Sequence, residues 1–149
     1  MLAHLRKFSC SQSLCKQIVW GSHEYKQMLE LRDMLLRKPL GLSIYDDDLD
    51  REKNVKLYGA FRNDKVIACA YLDPKTATSA QLKQMAVTPS LQKQHIGSTL
   101  LKYIEGKARE PGLDKIVLHA RQVAFPFYEK NRYEYASDLA IITQMISDM

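Results

Sequence analysis

The segment from Gln81 to Ser98 has the residue types of an anion site. An apolar stretch, Ala80–Val87, ends at Thr88-Pro89, and a short polar loop from Ser90 to His95 leads straight into an apolar-striped helix with Gly97 at its start. The start of a helix carries free N–H groups and the positive end of the dipole, so it holds phosphate well. Glycine there lets an anion approach the backbone closely, and Lys93 adds a mobile positive charge nearby. On residues alone the alternative is an ordinary strand-loop-helix with glycine at the cap. A second cluster, Asp46, Asp47, Asp48 and Asp50, has the charge to attract a cationic amine, or it is simply a solvated loop. Cys10, Cys15 and Cys69 are odd in number and lack C-x-x-C spacing. That argues against a disulfide scaffold or a zinc ribbon and for a reducing compartment, so a cytoplasmic protein without metal is expected.

The elements that must position these residues follow from periodicity. Lys16–Trp20 reads as a strand closed by Gly21, and Ser22 as the N-cap of a helix. Tyr25, Met28, Leu29, Arg32 and Leu36 recur at helical spacing until Pro39 and Gly41. Val55–Phe61 and Val66–Leu72, joined by the polar turn Arg62–Lys65, read as an antiparallel hairpin. Ala80–Val87 is a further strand, and a helix from about Gly97 to Ala108 buries Ile96, Leu100, Ile104 and Ala108. Ile116–Leu118 is a short buried strand, Val123–Lys130 a short helix, and Tyr133–Ala136 with Ala140–Met145 a closing hairpin. Antiparallel strands followed by a β-α-β unit imply a mixed α/β sheet with helices packed on its faces.

The 149 residues suffice for one domain, 46% hydrophobic and 26% charged. The division expected is an arm over residues 1–14 and a single domain over 15–149. The acid-free arm reads as a tail, with a weak transit peptide or an extra helix as alternatives. The longest apolar run, Val66–Leu72, is far short of the ~20 residues of a membrane span. The net charge is +5, and residues 83–132 alone hold nine bases against four acids. Such a segment suits a small polyanion as well as nucleic acid. The chain lacks an aromatic-basic platform and a base-rich recognition helix, so nucleic acid is not the expected partner.

Met85-Ala86-Val87-Thr88-Pro89-Ser90-Leu91-Gln92-Lys93-Gln94-His95-Ile96-Gly97-Ser98 resembles motif A of the GNAT acetyltransferases, V-x-P-x-x-[RQ]-x-x-G-x-[GA], with Val87, Pro89, Gln92 and Gly97 at the matching spacings. Ala124, Phe127-Tyr128-Glu129-Lys130 and Tyr133 resemble motif B, A-x-x-F-Y-[ED]-K-x-G-[FY]. The interval and the element order over residues 16–146 also fit. Leu31 to Leu42, with the acids after it, is similar to the ElaA-like bacterial branch. The sequence departs from the pattern at His95, which replaces the first loop glycine, at Arg121, where many members have Asn, and at Arg132, which replaces the glycine after the last helix. A Cβ at His95 demands a negative φ or some strain, and Asn131 is the residue expected to take the left-handed cap instead.

The resemblance implies a GNAT-like mixed sheet of six to seven strands, mostly antiparallel, with helices on both faces and a splayed parallel pair, Ala80–Val87 and Lys115–His119. Coenzyme A would lie in the gap, with acetyl-CoA as cosubstrate. Backbone groups of Met85 and Val87 would bond the pantetheine arm, and N–H groups from Lys93 to Ser98 would hold the pyrophosphate. Met85, Ala86, Val87, Gln92, Lys93, Gln94, His95, Ile96, Gly97 and Ser98 are thus the expected cofactor residues, and a side chain at Gly97 would intrude on the pyrophosphate. Tyr128 would face the thiol as acid, with packing on the sheet as its alternative. His119 is the candidate base, since the histidine side chain is the type best suited to proton transfer near neutral pH, with bulk water as the alternative. Asp46, Asp47 and Asp48 would face the acceptor. The activity implied is direct acetyl transfer to a primary amine of a small molecule or peptide, and the alternative is a non-catalytic acyl-CoA-binding module of the same fold. Family members often dimerise, so a homodimer is also expected.

Overall fold

A computed structural model describes residues 14–119, 124–135 and 141–145. Most of the N-terminal arm and Arg121 lie outside them. The described strands are β1 (Leu14–Ile18), β2 (Lys56–Arg62), β3 (Lys65–Pro74), β4 (Ser79–Val87), β5 (Lys115–His119), β6 (Glu134–Tyr135) and β7 (Ile141–Met145). They form one seven-stranded sheet in the order β1-β2-β3-β4-β5-β7-β6. Every pairing is antiparallel except β4 with β5. The expected mixed sheet with one parallel pair is therefore present.

Helices cover both faces. On one lies α1 (His23–Arg32), whose Tyr25, Met28, Leu29 and Leu31 pack on Leu57, Phe61, Cys69 and Ala86. On the other lies α2 (Ile96–Arg109), whose Ile96, Leu100, Leu101 and Ile104 pack on Tyr58, Ala68, Leu82, Ile116 and Leu118. Each buried leucine or isoleucine contributes about 1.5–3 kcal/mol by leaving water. A third helix, α3 (Phe125–Lys130), lies on the α2 side, with Phe127 against Gly97.

Three boundaries differ from the sequence reading. β1 begins two residues earlier and ends at Ile18, because Ile18 is buried while Val19 is 69% exposed. Val19 already belongs to the turn, its carbonyl accepting from the Ser22 N–H at 3.1 Å and the Ser22 hydroxyl at 2.6 Å. Ser22 caps α1 as expected, accepting from the Tyr25 N–H at 3.1 Å. That helix leaves α geometry at Arg32, continuing as a π turn over Asp33–Arg37 and a 3-10 turn over Lys38–Leu40. The buried Asp33 carboxylate accepts the Ile44 N–H at 2.8 Å, which pulls the chain around at this point. The acidic stretch is also structured, with 3-10 turns at Ile44–Asp46 and Leu49–Asn54.

Candidate active site

The site begins with a fault in β4. Ala80 and Leu82 face the α2 core, so simple alternation would put residue 84 there next. Instead Gln84 takes φ +57°, and the β3 register passes from Tyr71↔Lys83 to Cys69↔Ala86. One extra residue is thus inserted in β4, a β-bulge that reverses the phase of the strand. Met85 and Val87 now pack toward the α2 side and Ala86 toward α1. The step of three between Leu82 and Met85 is the sequence signal that could have revealed it. β4 and β5 pair only from Ser79↔Lys115 to Leu82↔Leu118. Past that point β4 runs on to Val87 with its β5-facing edge unpaired, which leaves backbone groups for an extended ligand.

The end of β4 leads through a 3-10 turn, Pro89–Gln94, into α2. His95 sits between them at φ +62°, so the position that resembles the family's glycine keeps the left-handed geometry despite its Cβ. Histidine is among the side chains that tolerate this region best. No side chain caps α2, and its first N–H groups face the opening. Here lies a cavity of about 680 Å³ lined by Met85, Val87, Gln92, His95, Gly97 and Ser98 from this segment, and by Ala124, Phe127, Tyr128 and Lys130 from the α3 region. Ala86 and Ile96 are buried in the two cores, and Gln94 accepts from Arg62 at 3.3 Å, so their side chains are not part of it. The Gln92 amide donates to the Val87 carbonyl at 3.2 Å. Strand edge, open helix start and cavity lie together, with Met85 and Val87 on the cavity wall.

Gly97 also has a packing role. A Cβ there would lie 3.2 Å from two ring atoms of Phe127 and 3.4 Å from the Val87 side chain. The glycine lets α2 approach α3 closely, and a larger residue would press on the Phe127 ring. A second tie reinforces the contact, since the Asn131 side-chain amide donates to the Ser98 hydroxyl at 3.2 Å and to the Phe127 carbonyl at 2.9 Å. The left-handed residue that ends α3 is Arg132, at φ +71°, and not Asn131. The Tyr133 N–H donates to the Tyr128 carbonyl and the Arg132 N–H to the Glu129 carbonyl, each at 2.9 Å, which is a Schellman closure. Tyr133 is buried behind it, its hydroxyl donating to Glu105 at 2.8 Å.

These contacts hold Tyr128, 7% exposed, edge-on against Phe127 and Tyr133. Burial pushes its hydroxyl up to about 12. That hydroxyl has no hydrogen-bond partner among the described residues. Tyr128 also lines a second cavity, of about 600 Å³, on the other side of the gap. Met85 and Ala124 are the other residues common to both.

The second cavity is assembled from distant stretches. Leu36, Arg37 and Leu40 come from the turns after α1, Tyr71 from β3, Gln81–Met85 from β4, and Leu118 and His119 from β5. His119 therefore lies in the same cavity as Tyr128. Arg37 donates to Asp47 at 2.7 and 3.3 Å and reaches Gln84 at 3.4 Å. Asp47 and Asp48 line a neighbouring cavity of about 400 Å³, which meets this one at Tyr71 and Lys83. Asp46 is exposed and lines neither. Beneath that neighbouring cavity the fully buried Arg32 grips Glu52 with two bonds of 2.8 and 2.7 Å, and the Tyr25 hydroxyl donates to the same carboxylate at 2.8 Å. This network fixes the Leu49–Asn54 turn to α1. Arg37, Tyr71, Lys83 and the bulged Gln84 were not read from the sequence as site residues, and only the apolar spacing around Gln84 carried a signal.

Residues 17–132 match the model of the acetyltransferase (GNAT) family. An aminoglycoside 6'-N-acetyltransferase complexed with coenzyme A has the same fold, with a TM-score of 0.77 and 16% identity over 89% of this chain and 97% of that one. A GNAT-family acetyltransferase from Staphylococcus aureus Mu50 gives a TM-score of 0.72 and 15% identity over 89% and 99%. One from Elizabethkingia anophelis with acetyl-CoA bound gives 0.66 and 19% over 89% and 97%.

Proposed function

The chain belongs to the GNAT acetyltransferase family, and from that premise we propose that it moves an acetyl group directly from acetyl-CoA to a primary amine. The observation that carries this reading is the position of Tyr128 between two cavities, with Met85 and Ala124 beside it. One cavity has the strand edge and open helix start that suit a phosphate-bearing arm. The other is lined by polar side chains and suits an acceptor. Acetyl-CoA supplies the activated acetyl group.

In the transfer, a nitrogen–carbon bond forms, the carbon–sulfur bond breaks, and the sulfur leaves with the electron pair. Tyr128 is the donor aimed at that sulfur. With its hydroxyl pushed up to about 12, it keeps its proton across the physiological range. An ordinary thiol is the stronger acid, at ~8.5, so Tyr128 stabilises the leaving sulfur by donating a hydrogen bond as negative charge develops on it. His119, at the mouth of the acceptor cavity, accepts the amine proton directly or through water.

A screen of acetyl-CoA consumption over an amine library tests the reading, run beside a thermal-shift measurement with coenzyme A. A coenzyme A-induced rise in melting temperature and turnover of at least one amine are expected. Stabilisation without turnover on any amine would make the chain an acyl-CoA-binding module. Absence of both would overturn the assignment of the first cavity.

A further inference from the structure

We infer that the acceptor is a primary amine carrying a carboxylate, an amino acid or its close analogue, with the carboxylate held by Lys83. This rests on the transferase reading and deepens it. No Asp or Glu is among the described residues that line the acceptor cavity, which holds Arg37, Lys83 and His119. The two permanent cations differ in one respect. Arg37 has a carboxylate of its own, Asp47 at 2.7 Å, and spends a further donor on the Leu36 carbonyl. Lys83 shares one. Asp73 accepts from Lys83 and Lys75, both at 3.0 Å, so that cluster keeps an uncompensated positive charge. The Lys83 side chain is 28% exposed and borders both the acceptor cavity and the neighbouring one.

The charge has two consequences for an acceptor. It offers an anionic group a site on the acceptor-side wall, where Gln81 and Gln84 add amide donors. It also lowers the pKa of an amine bound nearby, because a positive neighbour disfavours the ammonium form. The transfer needs that amine neutral, so one lysine both anchors the acceptor and readies its nitrogen. A polycationic amine would find no anchor here, and its second charge would be repelled by Lys83 and Arg37. Its route to a carboxylate would lead into the neighbouring cavity, which Asp47, Asp48, Glu52 and Asp73 line together with Arg51 and Lys83.

Initial rates with acetyl-CoA on three matched acceptors decide this: an α-amino acid, its carboxamide, and a diamine of similar length. The amino acid should be preferred by about 10-fold or more in kcat/KM, the scale of one hydrogen-bonded charge. Lys83→Gln should raise the amino acid's KM by a similar factor. It should affect the carboxamide far less and leave the coenzyme A thermal shift unchanged, and Lys83→Arg should restore most of the preference. Equal or better turnover of the carboxamide or the diamine would overturn the proposal while leaving the transferase reading intact. So would a Lys83→Gln effect that is the same for all three. Turnover of none of the three, with turnover of another amine in the library, would overturn this proposal alone; turnover of no amine at all, with coenzyme A still stabilising the protein, would overturn the transferase reading as well.

Discussion

The two cavities that meet at Tyr128 are built in opposite ways. The cofactor cavity comes from two short runs of chain, residues 85–98 and 124–130, and what it offers is mostly backbone: a strand edge and the first N–H groups of a helix. The proposed acceptor cavity draws on five separate stretches, and what it offers is side chains, of which Arg37 and Lys83 are paired with carboxylates ten residues away in sequence. A backbone site tolerates changes of residue as long as the local conformation survives, as His95 shows by keeping φ +62° where the family pattern has glycine. A side-chain site has no such tolerance, because each charge depends on its partner.

The largest expected effect falls where the two cavities join. Tyr128→Phe keeps the ring and its edge-on contacts with Phe127 and Tyr133. It should lower kcat by ~10²–10⁴-fold, with little change in coenzyme A affinity or melting temperature. A kcat within a few-fold of native would mean that Tyr128 is only a dividing wall.

Glu52→Ala would break the acceptor side alone. It leaves Arg32, fully buried, without its carboxylate and frees the Leu49–Asn54 turn. Removing one partner of a buried pair costs about 3–5 kcal/mol. Chemical denaturation should show that loss while coenzyme A still stabilises what remains folded. Loss of the ligand response as well would show that the two cavities are not independent.

Gly97→Val probes the cofactor side. Its side chain must push Phe127 away, and overpacking of this kind costs about 1–3 kcal/mol. Both the melting temperature of the free protein and the coenzyme A response should fall. An unchanged free-protein melting temperature with a lost ligand response would point to a clash with the ligand instead.

The smallest effect concerns the anchor behind α3. Burial raises the Glu105 carboxyl above its ordinary range, outweighing the Tyr133 hydrogen bond and the nearby Arg109 and Lys102. The folded protein thus holds this proton more tightly than the unfolded chain. Its contribution is stabilising below the ordinary carboxylate pKa and is lost as pH rises through the folded value. Glu105→Gln keeps an acceptor for Tyr133 and removes the buried charge. It should raise the melting temperature by a few degrees near pH 8, with the gain vanishing near pH 4. A pH-independent change would show that packing, and not charge, governs the anchor.

The elements themselves were largely legible. Ser22 was read as a cap and is one, and the strand-turn-helix around Gly97 lies within a residue or two of its expected bounds. The end of α1 was not legible, because the buried Asp33 that turns the chain finds its partner, the Ile44 N–H, eleven residues on. Asn131 was expected in the left-handed position on intrinsic preference. Arg132 takes it because the Schellman bonds to Glu129 and Tyr128, with Tyr133 buried on Glu105, require the bend one residue later.

The sequence by itself determined the order of the elements and the strand, polar turn and uncapped helix start of the 85–98 segment, since both depend on residues close along the chain, where local geometry and periodicity act. Only the tertiary structure decided the bulge at Gln84, the use of Gly97 against Phe127, and the pairing of Asp47 with Arg37 in place of an open acidic loop. Each of these depends on which distant group comes within a few ångströms, and a hydrogen bond or van der Waals contact falls away beyond that distance whatever the spacing in sequence. The proposed acceptor site is made largely of such encounters, so its chemistry became visible only when the sheet brought Lys83, His119 and Tyr128 to one cavity.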